Sequence, residues 1–155
     1  RRIKDMARSW AIGIAWPREI ERINILQASL WAMQRSVDRL RSPPDLVLVD
    51  GIHCLPGSIP SKSVKHGDRS VPEISAASIL AKTFRDRLMV KLDKKYAGYG
   101  FGRHKGYGTG EHLKCLRRLG PCLMHRQSFR PVREACTQEA RQWLPGICGA
   151  DEPER

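Results

Sequence analysis

A chain of 155 residues is long enough for one domain with a real core and short for two. Hydrophobic residues make up 41%, and no apolar run is long enough to cross a bilayer as a helix. Lys and Arg number 28 against 16 Asp and Glu, and the resulting net charge of +12 points to a polyanionic partner without choosing among ribosomal, nucleic-acid-processing and anionic-surface proteins.

Cys54, Cys115, Cys122, Cys136 and Cys148 are odd in number and form no C-x-x-C pair. They read as reduced, space-filling thiols, which fits a cytoplasmic setting. The chain opens Arg1-Arg2-Ile3-Lys4-Asp5 with no apolar stretch behind it, so no secretory leader is read there. It opens as if inside a helix and without an initiating methionine, which reads as a fragment.

In chain order, residues 1–9 read as the end of a helix and residues 10–16 (WAIGIAW) as a strand. Pro17 opens a long helix, where its missing N–H costs little. Ile20, Ile23, Leu26, Leu30, Met33, Val37 and Leu40 recur at spacings of three and four and predict one buried face, which Pro43 and Pro44 end. Leu46 to Val49 is a continuous apolar run that predicts a strand covered on both faces. Asp50-Gly51 follows, then a Pro- and Gly-containing loop to Pro60.

A short strand is expected over residues 62–65, ending in Gly67-Asp68. Ser75 is the expected cap of a helix with Ala77, Leu80, Phe84, Leu88 and Leu92 inward and Lys82, Arg85, Arg87, Lys91, Lys94 and Lys95 on its other face. Residues 98–110 form a Gly-rich, basic, aromatic loop. Thr109 caps a shorter helix with Leu113, Leu116 and Leu119 inward, stopped by Gly120-Pro121. One more helix can follow Val132, and residues 144–155 read as frayed. Strands alternating with helices argue for an α/β domain.

Two constellations can carry chemistry. Asp50 stands at the carboxyl end of an apolar strand, where open α/β sheets place their ligands, and Asp68 again follows a strand. Two converging carboxylates suit a hard divalent cation, although two-metal phosphoryl chemistry needs more than two ligands. Asp-Gly and Gly-Asp are also ordinary turn dipeptides, so spacing alone leaves both readings open. The segment 96–107 (YAGYGFGRHKGY) interleaves aromatic rings with Arg103, His104 and Lys105, which suits stacking on sugars or bases with phosphate contact. The competing reading is a turn with core aromatics and incidental charge. His104, His112 and His125 fit no metal pattern and read as satisfied structural histidines.

The ordered strings Val47-Leu48-Val49-Asp50-Gly51, Lys65-His66-Gly67-Asp68, 72–82 (PEISAASILAK) and Arg85-Asp86 resemble ribonuclease HII. Tyr99-Gly100-Phe101, His104-Lys105-Gly106-Tyr107 and 125–132 (HRQSFRPV) continue the resemblance, and Glu19-Ile20-Glu21 with Asn24-Ile25 precede it in the same order. It covers residues 1–133, read as a partial catalytic domain, and leaves 134–155 as a tail that is partly helical or disordered.

The resemblance implies a ribonuclease H-like fold, a mixed sheet flanked by helices, with its N-terminal strands missing. It implies an endonuclease acting with Mg²⁺ or Mn²⁺ by two-metal hydrolysis. The substrates would be RNA–DNA hybrids and duplex DNA carrying single ribonucleotides, cut 5′ to the ribonucleotide to leave a 3′-hydroxyl. Asp50 and Asp68 match the third and fourth of the family's metal-binding carboxylates. Lys82 and Arg85 match basic positions that contact the nucleic-acid backbone, with Ser78 near them, and Tyr107 matches the tyrosine that packs on the sugar beside the RNA–DNA junction. Lys105 of the basic, aromatic segment is expected to bind nucleic acid with them. A monomer without membrane attachment is expected.

Departures from the family pattern accompany these matches. The Asp-Glu-Ala-Gly-Arg-Gly segment that carries the first two carboxylates is not in this sequence, so the stretch alone is expected to be inactive. His66 stands for a lysine, Gly108 for a proline and Glu21 for an aspartate, and Gly108 is expected to loosen the loop that carries Tyr107. The alternative function is a non-catalytic basic module that binds nucleic acid.

Overall fold

The computed structural model describes residues 2–135. In chain order the elements are α1 (Arg2–Met6), α2 (Pro17–Val37), β1 (Val47–Asp50), β2 (Ser61–Val64), α3 (Gly67–Ser70), α4 (Pro72–Lys95), α5 (Phe101–His104), α6 (Gly110–Leu119) and α7 (Arg130–Ala135). Residues 136–155, and with them most of the expected tail, lie outside the described residues.

The described residues divide into two compact units, 2–15 with 23–84 and 16–22 with 85–135. In the first unit β1 and β2 pair in parallel, with Val47 opposite Ser61 and Asp50 opposite Val64. Bonds from Val47 N to the Pro60 carbonyl and from Gly51 N to the Val64 carbonyl, both 2.9 Å, extend the ladder at its two ends. The expected double cover of β1 is only partial. Val49 is buried, while Leu46 is 50% exposed. Among the described residues β1 has one neighbouring strand, so its apolar faces find limited partners.

Residues 10–16 are not a strand. Two of their carbonyls meet guanidinium groups instead of a ladder: Arg35 donates to the Ile14 carbonyl at 2.7 Å and Arg39 to the Ile12 carbonyl at 2.9 Å. Gly13 lets this segment lie directly on α2, since a Cβ there would stand 1.7 Å from the Ala32 carbonyl oxygen.

The helix opened by Pro17 is broken at Asn24, whose φ of 68° and ψ of 168° are not helical. The Asn24 side chain accepts from Gln27 N at 3.0 Å and so caps the helical segment that follows. The expected single buried face is accordingly interrupted. Ala28 is its buried residue, while Leu26 and Met33 are exposed.

α4 starts three residues before the expected cap, with Pro72 at its first position, and Ser75 N already bonds to the Val71 carbonyl. Its inward anchor is Ile74. Ala77 and Phe84, expected inward, are exposed.

In the second unit Tyr99, Phe101 and Cys122 form a buried cluster, with Met89, Leu92, Tyr96 and Met124 against it. A second cluster joins Leu116 of α6 to Val132 and Ala135 of α7. Thr109 caps α6 as expected, accepting from His112 N at 3.3 Å. Leu119, expected inward, is exposed beside the terminating Gly120. Among the described residues no helix is long and apolar enough to cross a membrane.

Candidate active site

The parallel register carries the chain past Val64 alongside the end of β1, where Asp50 projects from an exposed position. His66 turns the chain in the left-handed region, φ 54° and ψ 36°, and α3 begins at Gly67. The buried amide of Gly67 donates to Asp50 Oδ1 at 2.9 Å. Asp68 is the next residue, so strand pairing and one turn bring the chain positions of the two expected metal-binding residues near one another in the first unit. A Cβ on Gly67 would stand 2.5 Å from Ile74 Cδ1 and 3.6 Å from Asp50 Oδ1, so this close approach favours glycine.

Asp50 and Asp68 offer oxygen ligands of the kind a hard divalent cation takes. In number they supply fewer ligands than a divalent cation takes. Among the described residues no group of three or more His, Cys, Asp or Glu is placed to hold a metal ion.

Ser78, Lys82 and Arg85 follow one another in α4 at spacings of four and three, which places them along one stripe of that helix. All three are exposed.

The aromatic segment divides between its two readings. Tyr99 and Phe101 are core: their rings stack with centroids 5.3 Å apart and 7° between planes. The Tyr99 hydroxyl donates to the Gly120 carbonyl at 2.8 Å, and burial, with the nearby Cys122, pushes its pKa up to about 12. Tyr107 is the exposed ring, with 57% of its surface accessible and the Arg85 guanidinium 4.9 Å from its centroid. The Lys105 ammonium bonds to the Gly102 carbonyl, and Lys105 and Gly106 both lie at positive φ, bringing the chain round to Tyr107.

The backbone of Tyr107 is fixed on both sides. Its N–H donates to the His104 carbonyl at 2.9 Å, while its carbonyl accepts from Thr109 N at 2.8 Å and faces His112 Nδ1 at 2.9 Å. The loop expected to be loosened by Gly108 is thus held by bonds on either side of that residue.

The three histidines are satisfied, as expected, and His112 and His125 satisfy one another. His112 Nε2 and His125 Nε2 are 3.1 Å apart, His125 Nδ1 accepts from Cys122 N at 3.0 Å, and His104 stacks on His112 with centroids 4.0 Å apart. Burial lowers the pKa of His125 to about 4, with His112 and His104 adding to the effect against an opposing bond from the Cys122 backbone. Burial also lowers His112, against an opposing bond to the Tyr107 backbone. Burial pushes the Cys122 thiol up. The available sequence signal for the histidines was their clustering, three of the chain's five histidines falling between positions 104 and 125.

The profile of the family described as Ribonuclease HII matches residues 8–132. The chain belongs to the ribonuclease HII family. It is 53% identical over 142 residues to a ribonuclease HII of Nitratidesulfovibrio vulgaris, covering 84% of this chain and 64% of that protein. It is 53% identical over 131 residues to one of Nitrosococcus oceani, covering 84% and 65%. A third, from Oleidesulfovibrio alaskensis, is 48% identical over 158 residues, covering 89% and 60%. The chain therefore spans a little under two thirds of the length of these ribonuclease HII relatives. The crystal structure of the ribonuclease H2 from Pyrococcus horikoshii superposes with a TM-score of 0.69 at 20% identity, covering 86% of this chain and 71% of that one. That likeness shows the ribonuclease H-like α/β fold expected from the sequence.

Proposed function

We propose that this chain supplies part of the active site of an endonuclease that cuts RNA in RNA–DNA hybrids, including a single ribonucleotide embedded in duplex DNA. The observation that carries this reading is the corner in which Asp50 accepts the amide of Gly67, the residue beside Asp68, in a chain of the ribonuclease HII family. Asp50 and Asp68 are the residues that would hold Mg²⁺ or Mn²⁺. When bound, such ions activate water and stabilise the leaving 3′-oxygen. The chain's own contributions are to anchor that corner through the Gly67 amide, to meet the nucleic-acid backbone with Ser78, Lys82, Arg85 and Lys105, and to set the Tyr107 ring against the sugar beside the junction. An aromatic face packs closely on a deoxyribose and reads the missing 2′-hydroxyl by shape.

The family's other two carboxylates belong to the Asp-Glu-Ala-Gly-Arg-Gly segment that this sequence does not carry. Two carboxylates hold hard cations weakly and do not enforce two-metal geometry, so the 155-residue chain by itself is expected not to cut. It is read as a monomer working in the cytoplasm. The net charge of +12 supports the second reading, a basic module that binds duplexes without cutting them.

Mn²⁺ binding by the chain, followed by water proton relaxation, tests the carboxylate corner directly. Weak binding that falls at least about fivefold in both Asp50→Asn and Asp68→Asn is expected, since each substitution removes one anionic ligand. Binding unchanged by either substitution would place the cation elsewhere and remove the basis for the assignment.

A further inference from the structure

We propose that the buried pair His112 and His125 are positioning residues for Tyr107, forming with Cys122 a directed hydrogen-bond relay that ends on the Tyr107 carbonyl. The inference rests on the reading of Tyr107 as the ring that meets the junction sugar, and it assigns the residues that hold that ring in place.

The direction of the relay follows from its two ends. The backbone amide of Cys122 can only donate, so His125 Nδ1, 3.0 Å away, is the unprotonated nitrogen and the proton of neutral His125 is on Nε2. That proton points at His112 Nε2, 3.1 Å away, which must then accept. His112 carries its own proton on Nδ1 and donates it to the Tyr107 carbonyl at 2.9 Å, a group that can only accept. Both ends agree on one arrangement with every hydrogen bond made.

A third histidine, His104, holds the other side of the same loop by the same logic. Gly106 N donates to His104 Nδ1 at 3.1 Å, so His104 Nε2 donates to the Tyr99 carbonyl at 2.8 Å. His104 stacks on His112, and the Phe101 ring meets His104, His112 and His125 at centroid distances of 5.9, 5.6 and 5.4 Å. All three imidazoles are at most 8% exposed, so the relay is dry and each bond is costly to lose.

Tyr107 lies at the opposite extreme. Its ring is exposed, beside Arg85, and its placement depends on a short loop with two residues at positive φ just before it. A rigid buried anchor behind an exposed aromatic ring lowers the entropy cost of ordering that ring on a ligand.

The test is a double-mutant cycle on the 155-residue chain. Its probe is a labelled DNA duplex with one embedded ribonucleotide, measured by fluorescence anisotropy in EDTA so that no cutting occurs. Tyr107→Ala is expected to weaken binding about tenfold. His112→Phe fills the ring's space without its hydrogen bonds and is expected to weaken binding roughly three- to tenfold in the native chain, but less than about twofold on top of Tyr107→Ala. His112→Asn retains an amide donor toward the Tyr107 carbonyl and is expected to restore binding to within about twofold of the native chain.

Nitrogen-15 spectra of the unmutated chain at neutral pH supply a readout that needs no variant to fold, with His112 expected protonated on Nδ1 and His125 on Nε2. The inference is overturned if His112→Phe costs the same with and without Tyr107, or if His112 carries its proton on Nε2. Binding by Tyr107→Ala that equals the native chain is a different result. It overturns the reading of Tyr107 itself, and the pair loses its functional role with it.

Discussion

His125 is a basic side chain whose environment leaves no room for its charge. Its ring, hydrogen-bond and charge neighbours include His112, His104, Tyr99, Phe101 and Cys122. With its pKa lowered from 6.5 to about 4, the folded state binds fewer protons than the unfolded chain between those values. The stability this represents is therefore complete above pH 6.5 and is lost progressively as pH falls toward 4, reaching about 3 kcal/mol once His125 is protonated. His125→Gln keeps a donor toward His112 and cannot titrate. Thermal melts of both proteins from pH 7 to 4 should converge, the native chain losing stability faster. Parallel curves would show that His125 titrates normally in the folded chain. At the same scale, Tyr99 and Tyr107 show how one sequence string serves two ends: eight positions apart, one ring is packed under Phe101 and the other stands in solvent beside Arg85.

Among the elements, the segment 10–16 and α4 show opposite relations between pattern and structure. WAIGIAW has the composition of a strand, yet its Ile14 and Ile12 carbonyls end on Arg35 and Arg39, and Gly13 lies where any side chain would enter the backbone of α2. A methyl group 1.7 Å from the Ala32 oxygen cannot be accommodated by a rotamer change, so Gly13→Ala should cost at least about 2 kcal/mol of stability. Equilibrium urea unfolding gives that value, and a loss below about 0.5 kcal/mol would contradict the close packing. α4 was legible from its stripe of charges and its apolar spacing, although its start was not, because a proline at the first helical position competes with a serine cap as a start signal. Its exposed face is where phosphate contact is expected. Lys82→Ala should weaken duplex binding about equally for all-DNA and ribonucleotide-containing duplexes and reduce the salt slope by about one, as loss of a single phosphate contact does. A selective loss on one duplex would show that Lys82 reads more than the backbone.

For the whole molecule, the legible parts are those encoded locally. Asp50 at the end of an apolar run, the Thr109 cap and the Gly120-Pro121 stop are statements about a few consecutive residues, and the structure keeps them. The parallel pairing that sets Gly67 against Asp50 joins positions 17 apart, and the relay behind Tyr107 joins positions 107, 112, 122 and 125. Contacts of that span leave no periodic trace in the sequence. The break at Asn24 was equally hidden, since hydrophobic spacing runs across it undisturbed while the backbone does not.

On the proposed reading, the carboxylate corner, the basic stripe and the anchored tyrosine each serve a hybrid-cutting endonuclease. The decisive measurement is cleavage of a labelled duplex containing one ribonucleotide in Mg²⁺ or Mn²⁺. It compares the 155-residue chain with the same chain joined behind a relative's Asp-Glu-Ala-Gly-Arg-Gly segment, each with and without Asp50→Asn. The expected result is no cut by the chain alone, and a cut 5′ to the ribonucleotide by the joined protein that Asp50→Asn abolishes. Cutting by the chain alone would show that Asp50 and Asp68 suffice. A joined protein that binds the duplex without cutting it, or that cuts equally well with Asp50→Asn, would contradict the assignment of this corner to the chemistry.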